Sequence, residues 1–196
     1  ISTSTSFLGY KLESPILVAP MGHLTQFHKN GEGELAKGSE DAKNLFVLSG
    51  MSRLKLEEVR TFAKKANIIY QIFIHGDYEW LEREIHEANN IGSIALCITC
   101  DSPIRAINYK KPYDARKYGR NSRKMISNHE FSSKLNWKLI KWIKRKSKLP
   151  IIIKGVMCEE DMKLSIKNGA DAIWISNHGG RKLDSGVSSL EILHKR

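Results

Sequence analysis

Short apolar runs rich in β-branched residues alternate along this chain with amphipathic stretches of helical length, and few folds accommodate that alternation. The runs are Pro15–Pro20 (PILVAP), Leu45–Ser49 (LFVLS), Ile68–Phe73 (IIYQIF), Ser93–Thr99 (SIALCIT), Pro150–Lys154 (PIIIK) and Asp171–Ser176 (DAIWIS). Unbroken apolar character of this kind suits strands covered on both faces. Between them lie the helical patterns GELAKGSEDAKN, LKLEEVRTFAKKA, DYEWLEREIHEANN, KLIKWIKRKSK and EEDMKLSIKNG, the last followed by Gly169 as a helix stop. Strand–helix alternation with right-handed crossovers gives an α/β fold around a parallel sheet, either open or closed into a barrel.

Polar residues choose between the two. Ser49, Gln71, Thr99, Lys154 and Ser176 fall at or near the C-terminal ends of successive runs, where a (β/α)8 barrel of the TIM type gathers its catalytic groups from several strands. A doubly wound open sheet would concentrate function at one switch point, usually after a glycine-rich first turn, and no such turn follows PILVAP. The sequence therefore predicts a barrel domain over residues 1–196, of which six strand–helix units can be counted where closure needs eight. With 41% hydrophobic residues the chain can bury a sizeable core.

Other classes fit less well. No apolar run approaches the roughly 20 residues of a membrane span, and ISTSTSFLGY lacks a signal-peptide layout, so a cytoplasmic protein is expected. Cys97, Cys100 and Cys158 have no metal-ligand spacing and read as reduced thiols, with no metal site expected. The net charge of +11 raises the possibility of a nucleic-acid or acidic partner. Lys138, Lys141, Lys144, Arg145 and Lys148 nevertheless alternate with Leu139, Ile140, Trp142 and Ile143 as on a helix with one solvated face. No nucleic-acid reading motif accompanies them.

One segment is chemically denser than a strand-to-helix connection requires. Ser176–Asp184, SNHGGRKLD, sets an imidazole and a guanidinium around two glycines directly after DAIWI. Together with STSTSFLGYKLESPILVAP, FVLSGMS, YQIF, TCDSP and LPIIIKGV, in that order over almost the whole chain, it resembles the FMN-dependent 2-hydroxy acid oxidases and dehydrogenases, most closely the L-lactate oxidase branch.

That resemblance implies a (β/α)8 barrel binding FMN at its C-terminal mouth and oxidising a small L-2-hydroxy acid to the 2-oxo acid. It implies His178 as base, an imidazole being suited to proton transfer near neutral pH. Asp101 would orient His178 and stabilise its protonated form. Arg181 would bind the substrate carboxylate through its planar fork. Lys154 would stabilise negative charge on the cofactor. Ser49, Gln71, Thr99 and Ser176 would hydrogen-bond the flavin, while Pro20, Met21 and Gly22 present backbone to it. Phe73 and Met51 would border the substrate, and oxygen or another acceptor would reoxidise the cofactor. A homo-oligomer is expected, since unpaired barrel edges invite self-association.

The departures from the pattern are specific. A family tyrosine lies upstream of where this sequence begins, and a second corresponds to Phe73, which lacks the hydroxyl. A second substrate arginine corresponds to Asn108, with Arg105 nearby as a substitute. The lid over the site, 109–133, is shortened. The family's last two strands, carrying an Asp-Gly-Gly-x-Arg segment and a later Gly-Arg for the FMN phosphate, have no counterpart before Arg196.

Taken singly, each residue has a plainer reading. Ser49 and Thr99 suit helix caps, Asp101-Ser102-Pro103 a turn, and His23, His28, His75, His86, His129 and His194 the surface. Two further functional readings stay open: a catalytically impaired remnant or regulatory subunit of the same fold, and a basic interaction module built on KWIKRKSK.

Overall fold

The computed structural model describes residues 2–102, 135–183 and 185–194. Five parallel strands form one sheet in chain order: β3 (Leu45–Ser49), β4 (Asn67–Ile72), β5 (Ala95–Thr99), β6 (Ile151–Val156) and β7 (Ala172–Ile175). Before them stands an antiparallel hairpin of β1 (Thr5–Phe7) and β2 (Tyr10–Leu12). Helices α1 (Gly31–Asp41), α2 (Leu56–Phe62), α3 (Tyr78–Asn90), α4 (Trp137–Lys146) and α5 (Glu159–Lys167) follow the expected patterns, and a short α6 (Ser189–His194) comes last. Neighbouring strands that keep sequence order, with helices between them, form an arc of a (β/α) barrel.

The sheet has two apolar faces. Phe46, Leu48, Ile68, Ile72, Leu96, Ile98, Ile151 and Ile153 face outward to Val59, Leu81, Ile85, Leu139, Ile140 and Ile143 of the helices. Leu45, Val47, Ile69, Ala95, Cys97 and Ile152 fill the inner face with Leu12, and Phe7, Tyr10 and Leu17 pack against them. The hairpin thus covers the inner core. Because side chains alternate along a strand, the inner-face positions continue to Ser49, Gln71, Thr99, Lys154 and Ser176. Apolar at their N-terminal ends and polar at their C-terminal ends, the inner faces make one end a plug and the other a site.

Two expectations need correction. The run Pro15–Pro20 is not a strand; it touches the sheet through one bridge, Val18 to Phe46. Val18 donates to Leu45 O at 3.3 Å and accepts from Val47 N at 3.1 Å. Prolines at both ends remove ladder donors and restrict the residue before each, so pairing stops at the centre. The sequence reading also overlooked the hairpin, whose turn residues Leu8 and Gly9 have φ of 48° and 83°, as a two-residue hairpin turn requires.

Helix caps are local. Asp77 accepts from Trp80 N at 2.8 Å, and Asn136 from Lys138 N and Leu139 N at 3.0 and 3.2 Å. In α4, Leu139, Ile140 and Ile143 are buried while Lys138, Lys141 and Arg145 are exposed. Trp137 and Trp142 are only partly buried, at the margin of the core. Among the described residues no helix is long and apolar enough to cross a membrane.

Candidate active site

Polar groups at five strand ends form two hydrogen-bonded sets, Ser49–Gln71–Thr99 and Lys154–Ser176, adjacent where Thr99 pairs with Lys154 in the sheet. Ser49 Oγ donates to Gln71 Oε1 at 3.0 Å, and Gln71 Nε2 donates to Thr99 Oγ1 at 2.7 Å. All three are buried, so the relay satisfies groups that would otherwise be costly to remove from water. Ser49 Oγ also accepts from Met51 N at 3.1 Å, bringing the turn after β3 over the cluster. Lys154, only 7% exposed, donates to Ser176 Oγ at 3.3 Å, and its Nζ lies 6.0 Å from the Trp174 ring centroid.

Ser176 keys the next segment. Its Oγ accepts the backbone N–H of His178 at 3.1 Å, and Asn177 Oδ1 accepts from Gly179 N and Gly180 N at 3.1 and 3.3 Å. These bonds hold a tight turn in which His178, Gly179 and Gly180 have φ of 59°, 67° and 71°. Glycine takes that region freely, whereas His178 is held there by its neighbours.

His178 Nδ1 lies 3.0 and 3.1 Å from the two carboxylate oxygens of Asp101. Burial pushes the Asp101 pKa up, but the His178 hydrogen bond, the His178 charge and Lys154 more than offset it, leaving the carboxyl below its ordinary range. An ionised carboxylate only accepts, so Nδ1 carries the hydrogen and Nε2 is left as the ring's proton acceptor.

Gly155 makes room for this pair. A Cβ there would stand 2.6 Å from Asp101 Cβ and 2.7 Å from its Cγ, at a φ of 106°. The residue sits in the irregularity where β6–β7 pairing steps from Lys154 to Val156. We expect Gly155→Ala to destabilise the fold by about 1–3 kcal/mol and to displace Asp101 from His178. A chemical-denaturation midpoint equal to wild type would contradict that account.

The remaining candidates lie around this centre. Gly22 packs so closely on the turn after β3 that a Cβ would be 2.7 Å from Met51 Cβ; Pro20 is half-buried and Met21 is 45% exposed. Phe73 is half-buried just past β4. Arg181 is exposed, its guanidinium folded back where a Cβ on Gly179 would meet Nη1 at 2.9 Å. Its neighbour Lys182 is half-buried, with Nζ 5.9 Å from the Phe73 ring centroid. Arg105, Asn108 and the lid 109–133 lie outside the described residues.

Asn177, Gly155, Lys182 and Glu32 were not anticipated as site residues. Asn before two glycines signals a side-chain-stapled turn, and a glycine inside a β-branched run signals a close approach. Buried Glu32 accepts from Leu24 N and Arg53 N at 3.2 and 3.4 Å, tying the loop after Gly22 to the turn after Met51; nothing in its local sequence announces that. Cys97 and Cys100 have their thiol pKa pushed up to about 12, chiefly by burial, so neither supplies a thiolate at neutral pH. Among the described residues no cluster of His, Cys, Asp or Glu could hold a metal ion.

The donor set suits a flat, amide-edged ring: a carboxamide, hydroxyls and an ammonium line one mouth, with close-packed backbone at Gly22 beside it. Residues 1–195 match the family model described as FMN-dependent dehydrogenase. The chain is 29% identical to a 2-hydroxyacid oxidase of Dictyostelium discoideum, covering 98% of this chain and 54% of that protein. It is 31% identical to an L-lactate oxidase of Lacticaseibacillus rhamnosus, covering 97% and 55%. It also superposes on a mandelate oxidase variant solved with a C4a-OH-FMN adduct, at 25% identity and a TM-score of 0.84, over 100% of this chain and 58% of that one. The chain thus spans about half the length of the curated relatives it matches.

Proposed function

This chain belongs to the FMN-dependent dehydrogenase family, and from that premise we propose that the protein oxidises a small L-2-hydroxy acid, L-lactate in the first instance, to the 2-oxo acid. The observation that carries this reading is the His178–Asp101 pair, which leaves His178 Nε2 as proton acceptor, with His178 and Lys154 both bonded to Ser176 Oγ. FMN, when bound, supplies the two-electron acceptor for the hydride equivalent leaving the hydroxyl-bearing carbon.

The chain's own groups do the rest. His178 Nε2 takes the proton, and Asp101 stabilises the imidazolium that results. Arg181 pairs with the substrate carboxylate, which requires its exposed guanidinium to swing inward from Gly179. Lys154, held by Ser176, sets fixed positive charge beside the cofactor. Ser49, Gln71, Thr99 and Ser176 would hydrogen-bond the ring, with Pro20, Met21 and Gly22 against its face. Phe73 and Met51 would wall the substrate. Oxygen as acceptor, a cytoplasmic location and homo-oligomeric assembly belong to the same proposal; exposed Ile166, Leu190 and Leu193 favour burial against another element.

The test is to load purified protein with FMN, remove the excess, and record the visible spectrum before and after anaerobic L-lactate. We expect retained flavin that bleaches. Phe73, which lacks a phenolic hydroxyl, favours a second reading in which the fold binds flavin without turnover; retained, unbleached flavin across several 2-hydroxy acids would establish it.

A further inference from the structure

The active-site mouth carries one cation more than the chemistry above uses. Lys154 is bonded to Ser176 and serves the cofactor in the proposed function, and Asp101 is engaged by His178. Arg181 answers the carboxylate beside the reacting carbon. Lys182 remains: its ammonium stands over the Phe73 ring, and among the described residues no carboxylate pairs with it. Burial lowers its pKa most, and of the neighbouring charges Asp101 acts to raise it while Arg181 and Lys154 act to lower it. A half-buried ammonium with no carboxylate in direct contact is costly to desolvate, and an anion joining it would offset that cost. A substrate with a single carboxylate leaves that place unfilled.

We propose that Lys182 recognises a second acidic group, at the far end of the substrate over Phe73, and that the site is suited to 2-hydroxy dicarboxylic acids as well as to monocarboxylic ones. This rests on the 2-hydroxy acid oxidase reading for the identity of the first carboxylate. The lysine is positioned as a specificity residue, with Phe73 as the surface on which its ammonium rests. Because Lys182 is half-buried, it and its partner would be partly shielded from water, so the charge is read more strongly than on an open surface.

The test compares calorimetric binding of 2-oxoglutarate and pyruvate to the FMN-loaded protein, together with kcat/KM for L-malate and L-lactate. The Lys182→Gln variant is expected to lower the dicarboxylate-to-monocarboxylate affinity ratio about tenfold, and Lys182→Arg to restore most of it. Equal ratios in wild type and Lys182→Gln overturn the proposal. Binding needs no turnover, so a shifted ratio without oxidation supports Lys182 while removing the oxidase reading. Oxidation of L-lactate with an unshifted ratio does the reverse.

Discussion

Replacing His178 by Gln is expected to lower kcat for the proposed 2-hydroxy acid oxidation by roughly 10²–10⁴-fold, with FMN content and thermal midpoint close to wild type. The size of the effect follows from how completely the imidazole is specified. Its Nδ1 faces both oxygens of Asp101, its backbone N–H is taken by Ser176, and its φ of 59° is enforced by the Asn177 staple. Glutamine takes this φ somewhat less readily than histidine, but its amide can still bond Asp101 and the Ser176 and Asn177 hydrogen bonds remain, so the backbone turn persists. It has no nitrogen able to accept a proton at neutral pH, and that is the function removed. Steady-state kinetics on protein of matched flavin content decides the point. A loss below tenfold places proton removal elsewhere, and loss of the flavin makes His178 a structural residue.

How far the sequence reveals this site depends on which interactions are local. Continuous apolar runs announce the strands because both sheet faces are dry, as Leu45–Ser49 shows: every residue of β3 is buried. The same dryness hides which face is inner: alternation puts Val47 and Ser49 on one face and Leu48 on the other, but cannot say which of the two meets the helices. Position along the run does better. Ser49, Gln71, Thr99, Lys154 and Ser176 are polar where β-branched residues give out, and a barrel collects such ends.

Segments governed by turns and distant packing are less legible. PILVAP has a strand's composition, but its flanking prolines cut the ladder to one bridge. The FLGY turn closes a hairpin whose strands are too short to show a period. Gly155, inside a β-branched run, hints at a close approach, but only the fold shows that the neighbour is Asp101, from a different strand end. Lys182 is the sharpest instance. Composition and spacing draw attention to Arg181, whereas the half-buried cation by Phe73 is the next residue along, because direction of exit from a turn is a matter of dihedral angles rather than residue type.

Asp101→Asn is expected to cost about 10²-fold or more in kcat and to reshape the dependence of both rate and stability on pH. The carboxylate determines which imidazole nitrogen carries hydrogen. An amide can turn either its oxygen or its NH2 toward Nδ1, and when it donates, Nε2 holds the hydrogen and can no longer act as base. The imidazolium formed on proton transfer also loses its anion. For stability the sign follows from the depressed pKa of Asp101. A carboxyl that binds protons less readily folded than unfolded stabilises the fold above its unfolded value, about pH 4, and loses that contribution as pH falls through the lower folded value. Wild type and Asp101→Asn should therefore differ most in thermal midpoint at neutral pH and converge in acid. Curves that stay parallel down to the acid limit would mean that Asp101 is not held ionised by His178 and Lys154. The catalytic role then fails with the electrostatic one, since both need the same charged oxygen atoms facing Nδ1.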